Sequence, residues 1–164
     1  MLVALALAAA APAPPPCSTP EYRQLDFWVG DWDGEFDLPG GKTGRATNRI
    51  TRNEYGDCVI AEHFDQPDTG FVGASFSTWD RHRKKWVQTW VDSGGGYITL
   101  AGGPVEGQAW SFELVTLEPR GPQQVHSRMI WQDVKPESFT WRWQARQADG
   151  SYTDSWVIRY KRRK

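Results

Sequence analysis

The sequence predicts an all-β chain: a single up-and-down antiparallel β-barrel of about ten strands, with a short helical turn before the first. Three observations predict it. Apolar and polar residues alternate with a period of two through most of the chain, as in strands with one buried face. Runs of Gly, Pro, Asn and Asp break the alternation roughly every eight to twelve residues. Ten tryptophans stand beside only two methionines, so the interior is built of rigid aromatic plates. Such plates suit wide pleated surfaces better than a helix bundle.

The elements follow in order. Pro20 to Val29 reads as one or two helical turns. Strands are expected over Asp31–Asp37, Gly44–Arg52, Cys58–Asp65, Val72–Asp80 and Lys85–Ser93. They continue over Tyr97–Gly102, Gln108–Leu117, Gln124–Asp133, Ser138–Gln147 and Tyr152–Lys161. Stretches such as LPGGK, QPDTG, DSGGG and ADGS supply the backbone angles of the turns between them. An open sheet of that many twisted strands leaves exposed edges, and closure removes them. A two-sheet sandwich is the alternative.

The chain has 164 residues, 24% of them charged, with a net charge of -1. That balance predicts one globular domain with no general attraction to nucleic acid or anionic membranes. The basic tail from Arg159 to Lys164 reads as a solvated strand end. Residues 1–20 are expected to be a signal peptide and a proline-rich junction, and 21–164 the barrel domain. The basis is the apolar run MLVALALAAAA followed by APAPPP-type sequence, too short to span a bilayer. The expected location is therefore periplasmic or secreted, with no transmembrane segment in the mature protein. In that setting Cys17 and Cys58 are most simply a disulfide, and the alternative is two free thiols. Two cysteines and three scattered histidines give no metal spacing, and no cofactor motif is present.

Trp28, Gly30 and Trp32 open the folded part of the chain. Their placement resembles the Gly-x-Trp start of lipocalin-like barrels. The resemblance implies that Trp32 lies across the closed end beneath a late basic side chain, Arg159 or Arg162. Trp28 would plug the same end from the leading turn. The match extends through Asp26 and Phe27, then Cys58 and Glu62. It continues with Gly73, Ser75, Phe76 and Asp80, and ends with Trp86, Gln88, Trp90 and Asp92. On these residues the chain resembles an uncharacterised bacterial family of small exported lipocalin-like proteins, a domain of unknown function. Asp57-Cys58 departs from the usual Gly-Cys there, and Phe64 stands where a tryptophan is common. The resemblance implies the barrel and export, and carries no activity.

Alternation puts Trp86, Gln88, Trp90 and Asp92 on one face of their strand, with Val87, Thr89 and Val91 on the other. Two indoles around an amide would suit the wall of a pocket for a small amphipathic molecule; the alternative is that Val87 and Val91 face the core while the tryptophans cover the outside. Phe139, Trp141, Trp143 and Ala145 share a face, as do Trp156, Ile158 and Tyr160; these read as core with a share in a cavity wall. Glu62 shares the face of Cys58 and Ile60, so its carboxylate points inward and away from its neighbour His63. His82 lies in a basic turn, and His126 shares a face with Arg128 and Ile130. The leading expectation is a small, partly apolar ligand held in the barrel by Glu62, Trp86, Gln88 and Trp90. The alternatives are an isomerase or hydrolase acting through Glu62, and a cell-envelope structural or interaction protein with a filled core.

Overall fold

A computed structural model describes residues 15–52, 54–106 and 112–164. Residues 1–14 of the expected leader and junction, and the start of the strand expected from Gln108, fall outside the described residues. Two short 3-10 turns, Pro20–Arg23 and Asp26–Trp28, lead into the strands. These are β1 (Gly30–Leu38), β2 (Lys42–Thr51), β3 (Val59–Gln66), β4 (Phe71–Asp80) and β5 (Lys85–Asp92). They continue as β6 (Tyr97–Pro104), β7 (Phe112–Thr116), β8 (Ser127–Lys135), β9 (Ser138–Arg146) and β10 (Tyr152–Arg162). Each strand pairs antiparallel with the next, and β1 pairs with β10 to close the barrel. The sandwich alternative is thereby excluded.

Alternation decides what fills the barrel. On β1, Trp32, Gly34 and Phe36 are buried while Asp31, Asp33 and Glu35 are exposed. β10 needs an extra step to keep that order. Its register against β9 shifts between Asp154 and Trp156. By plain alternation these two would share a face. The bulge leaves Asp154 outside, paired with Arg142, and turns Trp156 inward against Phe36 and Phe64.

The closed end is packed with aromatic rings. Trp28 and Trp131 meet edge to face at 5.2 Å, Phe112 packs on Trp131 at 5.8 Å, and Trp32 on Phe139 at 4.7 Å. The leading turns are tied down by specific bonds. The Trp32 indole N–H donates to the Trp28 carbonyl at 2.8 Å, and the Trp86 indole N–H donates to the Gln24 side chain at 3.1 Å. Buried Arg52 pairs with Asp26 and donates to the Asp57 carbonyl. A disulfide joins Cys17 to Cys58, with a Cα separation of 5.2 Å, and clips the segment before the first turn to the start of β3.

The cation over Trp32 is Arg162. Its guanidinium lies 4.1 Å from the ring centroid and donates to the carbonyls of Val29 and Pro136. Arg159, the other candidate, is corrected: it is exposed on the outer face and pairs with Asp37. The reason is parity. Trp32 stands opposite Arg162 across the closure, whereas Arg159 stands opposite outward-facing Glu35.

Replacing Arg162 with Ala should therefore lower stability by about 1–2 kcal/mol through the lost ring contact and backbone bonds. Replacing Arg159 with Ala should leave the urea midpoint of unfolding unchanged, because an exposed ion pair contributes little. Urea titrations followed by circular dichroism check both. Equal effects of the two substitutions would refute the assignment.

Candidate functional site

The interior has two unlike halves. The half nearest the leading turns is filled by Trp28, Trp32, Trp86 and Trp131, each no more than 1% exposed. The half nearest the β3–β4 and β5–β6 turns holds a cavity of about 190 Å³. Its wall is mainly rings: Trp90 from β5, Trp141 and Trp143 from β9, Trp156 from β10, with Phe64 and Phe71 beside them. Ile98, Leu100, Met129 and Ile158 fill the gaps between rings. The polar part of the lining is Asn48, Glu62 and Tyr160, with Asp92 on the end of β5.

Glu62 is the chemical centre of this lining. It is buried, and both carboxyl oxygens are held by neutral donors. The Asn48 amide N–H donates to Oε1 at 2.7 Å and the Ser75 hydroxyl to Oε2 at 2.6 Å. Burial raises the Glu62 pKa above its ordinary value, and the Ser75 and Asn48 bonds only partly oppose the rise. Tyr160 is also buried. Its hydroxyl pKa is pushed well up, first by burial and then by the nearby Glu62 charge. The Asn48 side-chain oxygen is enclosed and has no hydrogen-bond partner. Among the described residues, no Lys, Arg or His lines the cavity.

Trp90 is fixed from two sides. Its indole N–H donates to Asp92 Oδ2 at 2.9 Å, while Asp92 Oδ1 accepts the backbone N–H groups of Gly94 and Gly96. Burial works to raise the Asp92 pKa, but the bonds from Trp90, Gly96 and Gly94, together with the charge of Arg120, outweigh it and hold the pKa below the ordinary range. The Trp90 ring lies flat across Gly73, where an added Cβ would stand 2.0 Å from a ring carbon. A side chain at position 73 would thus drive the ring off its seat.

The residues singled out from the sequence divide along the same boundary. Glu62 and Trp90 line the cavity. Trp86 and Gln88 share their inward face but not their cavity. Trp86 is sealed in the closed end against Phe112, and Gln88 is buried with its amide donating to Ser77 at 2.9 Å. Alternation gives the face and says nothing of depth along the barrel, which separates these residues. Asn48, Ser75 and Tyr160 were not expected beside Glu62. The Ser75 pairing has a signal: counting outward from the QPDTG turn sets Glu62 opposite Ser75. Asn48 arrives through the longer β2–β3 connection and Tyr160 through barrel closure, and neither register can be counted. His63 is exposed, His82 sits in its turn, and His126 bonds the Thr116 carbonyl at 2.8 Å; none lines the cavity.

Glu62 makes stability depend on pH in a direction that can be checked. A carboxyl whose folded pKa is raised gives its full stabilisation below the unfolded value, about 4.5. That stabilisation is lost as pH rises through the folded value. The melting temperature of Glu62→Gln relative to the natural protein should therefore increase from pH 4.5 toward neutrality. A difference that does not change with pH would show that Glu62 titrates normally.

No curated protein matches the chain. Residues 18–162 match a family described as "Protein of unknown function (DUF1579)". The match runs from the residue after Cys17 to Arg162, the cap on Trp32, and so takes in every strand and the whole cavity lining. The chain belongs to this DUF1579 family.

Proposed function

We propose that the protein binds a small, partly apolar molecule in the cavity of the barrel's open half. The observation that carries this reading is the contrast between the two halves. The same residue type, tryptophan, fills one half to the limit of packing and leaves a hole of about 190 Å³ in the other. An apolar cavity of roughly 150 Å³ takes up benzene, so this one has room for a molecule of one ring and a short chain. Rings supply contact area and the Glu62 group supplies orientation, the usual division in small-molecule sites. The filled-core reading fits the closed half alone. The Cys17–Cys58 disulfide supports an oxidising, exported setting for this binding.

Depth along the barrel gives the test its sharpness. Trp90 is in the cavity wall and Trp86 is sealed away from it. Titrating a panel of small aromatic and amphipathic compounds should change tryptophan emission saturably. The change should disappear in Trp90→Phe and survive in Trp86→Phe. A response that depends on Trp86 instead, or no response to any compound, would overturn the reading.

A further inference from the structure

We propose that the ligand is an organic cation, a small primary or secondary ammonium whose charged head sits at Glu62 and whose apolar body lies among the tryptophans. The inference rests on the binding reading above and narrows it to one charge class.

Four observations on the same cavity point this way. First, the charged side chains among the described lining residues are acidic: Glu62 and Asp92 line the cavity and no described cationic side chain does. Arg120, outside the lining, acts on Asp92 alone of the two. Second, the wall is mostly aromatic. Ring faces carry negative electrostatic potential and hold cations better than they hold neutral groups of equal size. Third, Glu62 is buried against neutral donors only, Asn48 and Ser75. A buried carboxylate is stable only when paired. Elsewhere this protein pairs its buried ions internally, as Arg52 does with Asp26. For Glu62 it supplies no cation. Fourth, the Asn48 side-chain oxygen lacks a partner although Asn48 is only 4% exposed and lines the cavity. The unmet needs at the polar end are therefore a positive charge and an N–H donor. A protonated amine provides both in one atom. A carboxylate ligand, such as a fatty acid, would meet acidic groups at both polar positions.

The groups facing Glu62 also fix the pH behaviour. β2 contributes Asn48 and β4 contributes Ser75, neither of which titrates. β10 contributes Tyr160, kept neutral by burial, and β5 contributes Asp92, kept ionised by its three hydrogen bonds. Among these groups Glu62 is thus the one whose charge changes as pH rises above the ordinary carboxylate range. As pH rises it ionises, and affinity for a cation rises with it.

Three compounds of one size and shape separate the possibilities: phenethylamine, phenethyl alcohol and phenylacetate. Calorimetric titration of the full chain at pH 7.5 should show the amine binding about tenfold or more tighter than the alcohol, with phenylacetate weakest. The amine's affinity should increase from pH 5.5 to 8, and the alcohol's should stay flat. Glu62→Gln should abolish both the amine's advantage over the alcohol and its pH dependence. The pH series on the natural protein gives the same answer without any substitution. Equal binding of amine and alcohol, or a preference for phenylacetate, would overturn the cation inference and leave the binding reading standing. Silence from all three, together with silence across the wider fluorescence panel, would overturn both.

Discussion

The barrel depends on the seam between its first and last strands. Nine hairpin pairings form between neighbours in sequence, but β1 and β10 must find each other across the whole domain. Trp32 and Arg162 stand opposite each other in that seam, and the guanidinium covers the ring. Gly30 makes the arrangement possible. Its φ of 144° is one that side chains rarely adopt, and a Cβ there would stand 2.1 Å from the Arg162 Nη1 atom. The Gly-x-Trp spacing is thus a single device: the glycine admits the arginine, and the arginine seals the tryptophan. The leading turns then pack beneath it. Trp28 offers its carbonyl to the Trp32 indole, and the disulfide anchors the residues ahead of those turns.

Sealing one end allows the other to be hollow. Here the packed rings of the closed half carry the core, and the open half can leave space among its own rings. The small residues of β4 determine where that space lies. Gly73 seats Trp90 flat against the wall, and Ser75 and Ser77 leave room for Glu62 and Gln88. With larger residues at these inward positions, the cavity would be occupied by displaced rings.

Much of the architecture was legible because each strand obeys local rules. Turn chemistry located nine hairpins, and alternation grouped the residues of β5, β9 and β10 into faces that the structure keeps, even though β10 carries a bulge; which face points inward was not legible from alternation alone. The bulge itself was not legible, since nothing in TDSWV distinguishes a shifted register from a regular one. The disulfide was legible because only two cysteines exist and the leader suggested an oxidising compartment. The site was legible in part. Glu62 and Trp90 were found by parity. Trp86 and Gln88 were placed with them because periodicity carries no depth. Arg159 and Arg162 could not be told apart from the sequence, although only Arg162 lies opposite Trp32, because the closing register is set by the whole barrel's stagger and not by any local turn.

The Glu62 cluster differs in kind from the other buried polar groups. Arg52 and Asp26 form a paired arrangement: opposite charges meet at one guanidinium nitrogen, and a second donates to the Asp57 carbonyl. Asp92 is likewise complete, with three donors gathered on one carboxylate at a strand end. Such groups specify structure, and their needs are met by the chain itself. Glu62 has donors on both oxygens yet no counter-charge, and the Asn48 that serves it keeps an unused acceptor facing no partner. Burying a carboxyl in this state destabilises the fold, which is why its pKa rises. An apolar residue of similar size would fill the same volume without that cost. The polar group persists in the lining of the open-half cavity. Its unmet hydrogen-bonding and charge requirements define the partner that would complete it.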